Sequence, residues 1–287
     1  MSEVGAVVSV ARAEIFALVR RPAVWTIFAT VAVLNQVFSY LVPYLSYRSS
    51  DPSGFRAGET PAELLAGTLP SQIVPNTVGG FPVFAGALTL AFGALMFGSD
   101  YGWDTVKTLF TQRASRAAIV VGKLTAMAAW IVGTVCLLFV LSASSSFAIA
   151  VAEGKSTVFP SAGHLAAGVG GGALILMMWA CVGATLSVCL RSVALPIGLG
   201  IVWALGVENL LSAMADSMLS ALDPLRNLLP GVNAGSLVAA ITPERIGEAA
   251  PGVSSTVGEA RSLATLAAYV VGCALLTVWA TRRRDVS

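Results

Sequence analysis

Six apolar stretches dominate this chain and leave little freedom in what it can become: Ala23–Leu45, Phe81–Phe97, Leu124–Val151, Leu165–Leu190, Val193–Met214 and Leu263–Thr281. Each is close to the roughly 20 residues that carry a helix across a bilayer. Backbone groups in hydrocarbon must be satisfied within their own segment, so helices are expected. The alternating pattern of a membrane barrel is absent. Only 11% of the residues are charged, less than half of the about 25% typical of soluble domains. The sequence therefore predicts an all-α integral membrane protein with six transmembrane helices and an N-terminal amphipathic interfacial helix. A re-entrant hairpin is expected between spans five and six.

The distribution of charge sets the expected orientation. One side collects Arg12, Arg20, Arg21, Lys107, Arg113, Arg116, Lys123, Arg191, Arg282, Arg283 and Arg284. The other holds Arg48, Arg56, Lys155, Arg226, Arg245 and Arg261, and acids show the opposite bias. This places both termini in the cytoplasm of a multi-pass protein of a bacterial inner membrane.

Residues 1–21 form their own unit. Val4, Val7, Val8, Ala11, Ile15, Leu18 and Val19 share a face at helical spacing, with Glu3, Ser9, Glu14, Arg20 and Arg21 elsewhere. Such a helix lies in the cytoplasmic interface before Pro22 opens the first span. A cleaved signal peptide is not expected, because the apolar run after Arg21 is too long and lacks a small-residue cleavage site. Residues 22–287 make the six-span domain, with a cytoplasmic loop 98–123 and extracellular loops 46–80 and 215–262. The first outer loop, with Pro52, Pro61, Pro70 and Pro75, reads as irregular. In the second, Met218–Leu229 breaks at Pro230 and Gly231 and resumes at Leu237–Ile241, giving two short helices.

The loop between spans two and three is the most informative segment. Val106, Leu109 and Phe110 share one helical face, while Lys107, Gln112 and Arg113 are polar. A hydrated positive-inside loop explains the basic residues but not Trp103, Leu109 and Phe110. A short amphipathic helix docking into a partner's groove explains both. The run Asp100, Tyr101, Gly102, Trp103, Asp104, Thr105, Val106, Lys107, Thr108, Leu109, followed by Arg116, Gly122 and Lys123, resembles the corresponding loop of ABC-2 type transporter permeases. The likeness extends to the amphipathic first helix, six spans and the terminal Arg283, Arg284 and Asp285. Asp100 stands where glutamate is commoner, and Asp104 replaces the usual glycine before Thr105.

That resemblance implies the transmembrane subunit of an ATP-binding-cassette exporter, a homodimer sitting on separate ABC ATPase subunits that bind ATP and Mg. It implies a coupling role for Asp104, Thr105, Lys107, Leu109, Phe110, Arg113 and Arg116, with Leu109 and Phe110 as apolar anchors. The cargo would be a drug, a lipophilic peptide or a lipid-linked molecule. The chain itself is expected to be no enzyme, with no catalytic residue, no cofactor, no metal and no nucleic-acid partner. Gly122 and Lys123 do not complete a phosphate loop, since Ala117 stands at the required glycine and Leu124 follows the lysine. Two other classes stay open: an ion-coupled secondary transporter and a non-transporting scaffold or immunity protein. The first calls for several intramembrane ionisable groups, and only Glu208 qualifies.

Glu208 lies well inside the fifth apolar run, where a carboxylate costs about 2.5–3.5 kcal/mol on insertion scales. It is expected to face protein or a water-filled cavity, either paired with Arg226 or, with Asn209 beside it, as a gate or polar contact in the export path. Gly168, Gly170, Gly171 and Gly172 read as close helix packing rather than a dinucleotide fingerprint. Cys136, Cys181, Cys189 and Cys273 read as small buried hydrophobes, and His164 as an interfacial residue.

Overall fold

The structure, a computed structural model, describes residues 3–49, 59–102, 115–208, 210–211 and 223–282. All regular structure among them is helical. In chain order the helices are α1 (Glu3–Val19), α2 (Pro22–Ser49), α3 (Pro61–Gly67), α4 (Pro70–Asp100), α5 (Arg116–Ala152), α6 (Ala162–Leu190), α7 (Ala194–Val207), α8 (Asp223–Arg226), α9 (Pro230–Ile241) and α10 (Glu259–Arg282). Five of them, α2, α4, α5, α6 and α10, are long and apolar enough to cross a membrane. The fifth expected span appears as the shorter α7; Met214, its expected end, lies outside the described residues.

Two ends of the bundle can be followed through long-range contacts. At the basal end, Arg21 donates to Ser99, Arg116 Nη1 donates to the Arg282 carbonyl, and Gly98 lies against the Ser192 carbonyl. At the distal end, Tyr44 and Tyr47 donate to Glu153, and His164 Nε2 is 2.8 Å from the Ile241 carbonyl. α6 and α10 run in the same direction: α6 starts at the distal His164 and ends just before the basal Ser192, and α10 likewise ends at the basal Arg282, with Thr185 in contact with Cys273 and Thr277 along the way. The chain is thus basal at Ser192 and distal again by α10, and α7 opens the return. The turn into it comes at Arg191, whose φ of 51° ends α6 in the left-handed conformation.

Helices α4 and α6 form the spine. A Cβ on Gly93 would overlap the Ala180 carbonyl oxygen, and one on Gly183 would overlap the Leu90 carbonyl oxygen. These reciprocal glycines bring the two backbones together, as small residues do between helices in lipid. The Gly168–Gly172 stretch of α6 acts as a set of sockets: Gly168 receives Val74 and Phe139, Gly171 receives Ile241, and Gly172 receives Phe81. Trp179, Phe92, Met127 and Leu138 fill the core between them.

The distal layer corrects the sequence reading. Residues 61–67 and 70–78 are helical rather than irregular, because Pro61 and Pro70 start helices instead of breaking them. Pro61 and Pro70 sit in first turns, where the missing N–H has no intrahelical partner to lose. Thr60 and Glu63 close a capping box at α3. α4 then loosens at Gly79 and Gly80 before a widened π turn, Phe81–Ala85. The Asn76 and Thr77 carbonyls are taken by Asn35 Nδ2, and Asn76 also by Ser39 Oγ. Ser142 accepts from Thr77 and donates to Asn35. Side chains here satisfy backbone that the helix does not.

Pro230 likewise opens a helix where a break was expected. α9 runs continuously to Ile241 and is buried along most of its length. Gly231 lies beside Trp179, midway along α6, while Ile241 reaches His164 at its start. α9 therefore lies against the distal half of α6. Cysteines divide two ways: Cys181 is buried, but Cys136 and Cys189 are on the outer surface of the bundle.

Candidate functional site

The basal end holds the strongest concentration of buried charge among the described residues. Lys123, 2% exposed, lies about two turns inside α5. Its Nζ donates to Asp100 Oδ2 at 2.7 Å and to the Met96 carbonyl at 3.3 Å, and pairs with Glu14 Oε1 at 3.3 Å. The Phe97 ring lies 5.6 Å from the same nitrogen. A lysine buried alone would be very costly; paired and hydrogen-bonded on three sides, it is accommodated. The three charged groups come from α1, α4 and α5, so one ammonium joins three elements.

Local sequence explains how they meet. α1 turns Ala6, Ala11 and Leu18 inward, and a Cβ at Gly122 would meet Val10 at 2.7 Å. That close seat brings Glu14 to Lys123. The expected apolar face of α1 is thus divided: Ala11 and Leu18 are buried, whereas Val4, Val8, Ile15 and Val19 face out. Glu14, grouped with the outward polar residues by spacing, points in. Trp25 Nε1 donates to the Val19 carbonyl at 2.7 Å across the elbow into α2, and the Trp25 and Trp130 rings meet edge to face at 5.6 Å.

This cluster stands at both ends of the loop singled out by sequence. The helical conformation of α4 carries on past Asp100 to Gly102, and α5 begins at Arg116, with Ser115 as its N-cap, so helices take up both ends of the 98–123 segment. Asp104, Thr105, Lys107, Leu109, Phe110 and Arg113 lie outside the described residues. Arg116 is described, and holds the last carbonyl of α10. The two helices that flank residues 103–114 are therefore braced against α1 and α10. The sequence placed Lys123 among the basic residues of one side and, with Gly122, in the motif that resembles the ABC-2 permeases, but gave it no ion-pair partner.

Glu208, 4% exposed, lies at the far end of α7. Its Oε1 accepts from Trp203 Nε1 at 2.9 Å, and the carboxylate also accepts from the Gly231 backbone N–H. Gly231 is the second residue of α9, which has no side-chain cap of its own. A Cβ there would overlap Glu208 Oε2, so glycine lets the carboxylate dock on the helix N-terminus. A negative group is favourable at that position. Glu208 and Arg226 line one cavity of about 220 Å³ with Pro82, Val83 and Val232, and Arg226 Nη2 donates to Thr256. Asn209 lies outside the described residues.

No curated protein matches the chain. The family model described as ABC-2 family transporter protein matches residues 8–286, from α1 through the basal charge cluster to the C-terminal end. With nearly the whole length matched, the chain belongs to the ABC-2 family of transporter proteins.

Proposed function

We propose that this chain is the permease subunit of an ATP-driven exporter, in which segment 103–114 couples a separate ATPase subunit to the membrane bundle. The observation that carries the reading is the Lys123–Asp100–Glu14 cluster. A lever transmits force only if its mountings are stiff, and this one is mounted on α4 and α5 through a buried ion pair. ATP and Mg belong to the partner; this chain supplies no hydrolytic chemistry. Leu109 and Phe110 serve as apolar anchors in the partner's groove, Arg113 and Arg116 as charge partners, and Asp104, Thr105 and Lys107 as flanking contacts. Two copies form the transporter, in a bacterial cytoplasmic membrane with basal ends and termini in the cytoplasm. The basal position of Arg21, Arg116, Lys123 and Arg282 supports that orientation. The cargo is a hydrophobic or amphiphilic molecule.

In this reading the bundle has six crossings. α7 supplies the fifth, and α8 with α9 forms a re-entrant hairpin that meets it at mid-depth. The need for the chain to pass from Ser192 to the distal start of α10 supports it, as does the docking of α9 on Glu208. α7 alone is about 21 Å long at 1.5 Å per residue, short of a hydrocarbon core of about 30 Å; α9 fills the remaining depth.

The decisive experiment is Phe110→Asp in the complex co-purified with its ATPase. Membrane insertion and yield are expected to stay normal, while ATP hydrolysis continues without cargo movement. Transport at the wild-type rate would remove the segment from the coupling role.

A further inference from the structure

The outward face of α1 carries a pattern that the exporter mechanism does not use. Val4, Val8, Arg12, Phe16 and Arg20 succeed one another at intervals of four and form a single exposed ridge. Val4 is 73% exposed and Phe16 58%. The Arg20 guanidinium lies 3.9 Å from the Phe16 ring centroid. Arg12 has no hydrogen bond or ion pair among the described residues. The acids of α1 are placed unequally: Glu14 is drawn inward onto Lys123, and Glu3 remains at the opening turn. The tertiary structure thus leaves the second half of the ridge cationic, with Arg12 and Arg20 exposed and, among the described residues, no acid beside them, although the sequence alone has Glu14 between them.

We propose that this ridge is a docking surface for anionic phospholipid headgroups. Its apolar members enter the headgroup boundary, and Arg12 and Arg20 meet lipid phosphates and acidic headgroups. A lipid surface fits better than a protein groove because the exposed apolar surface does not end with α1. It continues through Val19 onto Trp25, 52% exposed, at the head of the first membrane span, and tryptophan at that level is an interfacial anchor. The inference rests on the membrane orientation above but not on the ATPase partner.

Full-length protein in nanodiscs of phosphatidylcholine, with or without phosphatidylglycerol, tests it through hydrogen exchange of the amides of residues 3–19. Exchange is expected to slow about tenfold or more when anionic lipid is present. The difference should vanish at 1 M salt, where the screening length is about 3 Å, and in the Arg12→Gln/Arg20→Gln double variant. Equal exchange in the two lipids overturns the proposal. So does protection that appears only on adding the ATPase subunit, which would make the ridge a protein interface. Because the lipid comparison needs no ATPase and no variant, a negative result leaves the coupling role of segment 103–114 to its own test.

Discussion

Lys123 shows how strongly one side chain can bind distant parts of a chain together. Its ammonium neutralises one of two carboxylates that are themselves mostly buried, 14% exposed for Glu14 and 20% for Asp100. Removing it strands both. Lys123→Met should therefore destabilise the protein by about 3–5 kcal/mol, read as a lower melting temperature in detergent. Adding Glu14→Gln and Asp100→Asn should recover much of the loss; no recovery would mean that the lysine acts through packing alone. Glu153, beyond the distal end of α5, offers a pH test. Donation from Tyr44, then from Tyr47 and Arg48, holds its carboxyl below the usual range, against partial desolvation that raises it. A depressed folded value means stability that is complete above the unfolded pKa of about 4.3. That stability is lost as pH falls through the lower folded value. Melting temperatures below about pH 5 should fall less steeply in Glu153→Gln than in the wild type; parallel curves would contradict the assignment.

At the scale of elements, helix pairing is set by where side chains are missing. α4 and α6 approach backbone to backbone at Gly93 and Gly183, so even a methyl group there must push the helices apart. Gly93→Ala should cost at least the about 1–3 kcal/mol typical of overpacking, and lower the yield of monodisperse protein. Gly198 on α7 has open space where its Cβ would stand. Gly198→Ala should be neutral or stabilise by up to about 1 kcal/mol, since glycine weakens a helix interior. Equal effects at the two positions would show that helix propensity, not the α4–α6 contact, decides. The widened turn at Val37–Leu41 has a comparable local cause. Pro43 comes just after it, and proline in a helix clashes with the carbonyl four residues back.

For the whole molecule, the central question is the path between α6 and α10. Both helices end at the basal side, α6 next to Ser192 and α10 at Arg282, so the intervening chain must change ends. With cysteines introduced at Ser192 and Ser255 in a background lacking the native four, an impermeant thiol reagent applied to intact cells should label Ser255→Cys alone. Labelling of both from the same side would exclude a fifth crossing. The distal cap belongs to this scale too. Gln72 bonds both the Glu244 carbonyl and the Ile246 N–H, and Glu59 accepts from the Glu248 N–H. The segment after α9 is thereby tied to the first turn of α4 and to the residues just before α3.

Five spans were legible because hydrocarbon forces each crossing to satisfy its backbone locally and to be apolar over its length, which leaves a record in consecutive residues. The basic bias of the basal end was legible for a similar reason, since it depends on composition rather than on pairing. Pro61 and Pro70 were misread because a proline that starts a helix and one that breaks it differ only in how the neighbouring chain packs. Lys123 with Glu14, separated by more than a hundred residues, and Glu208 on the N-terminus of α9 had no signature at all. Such pairs exist only after the helices pack, when burial makes an unpartnered charge too costly and selects whichever partner the geometry has brought within reach.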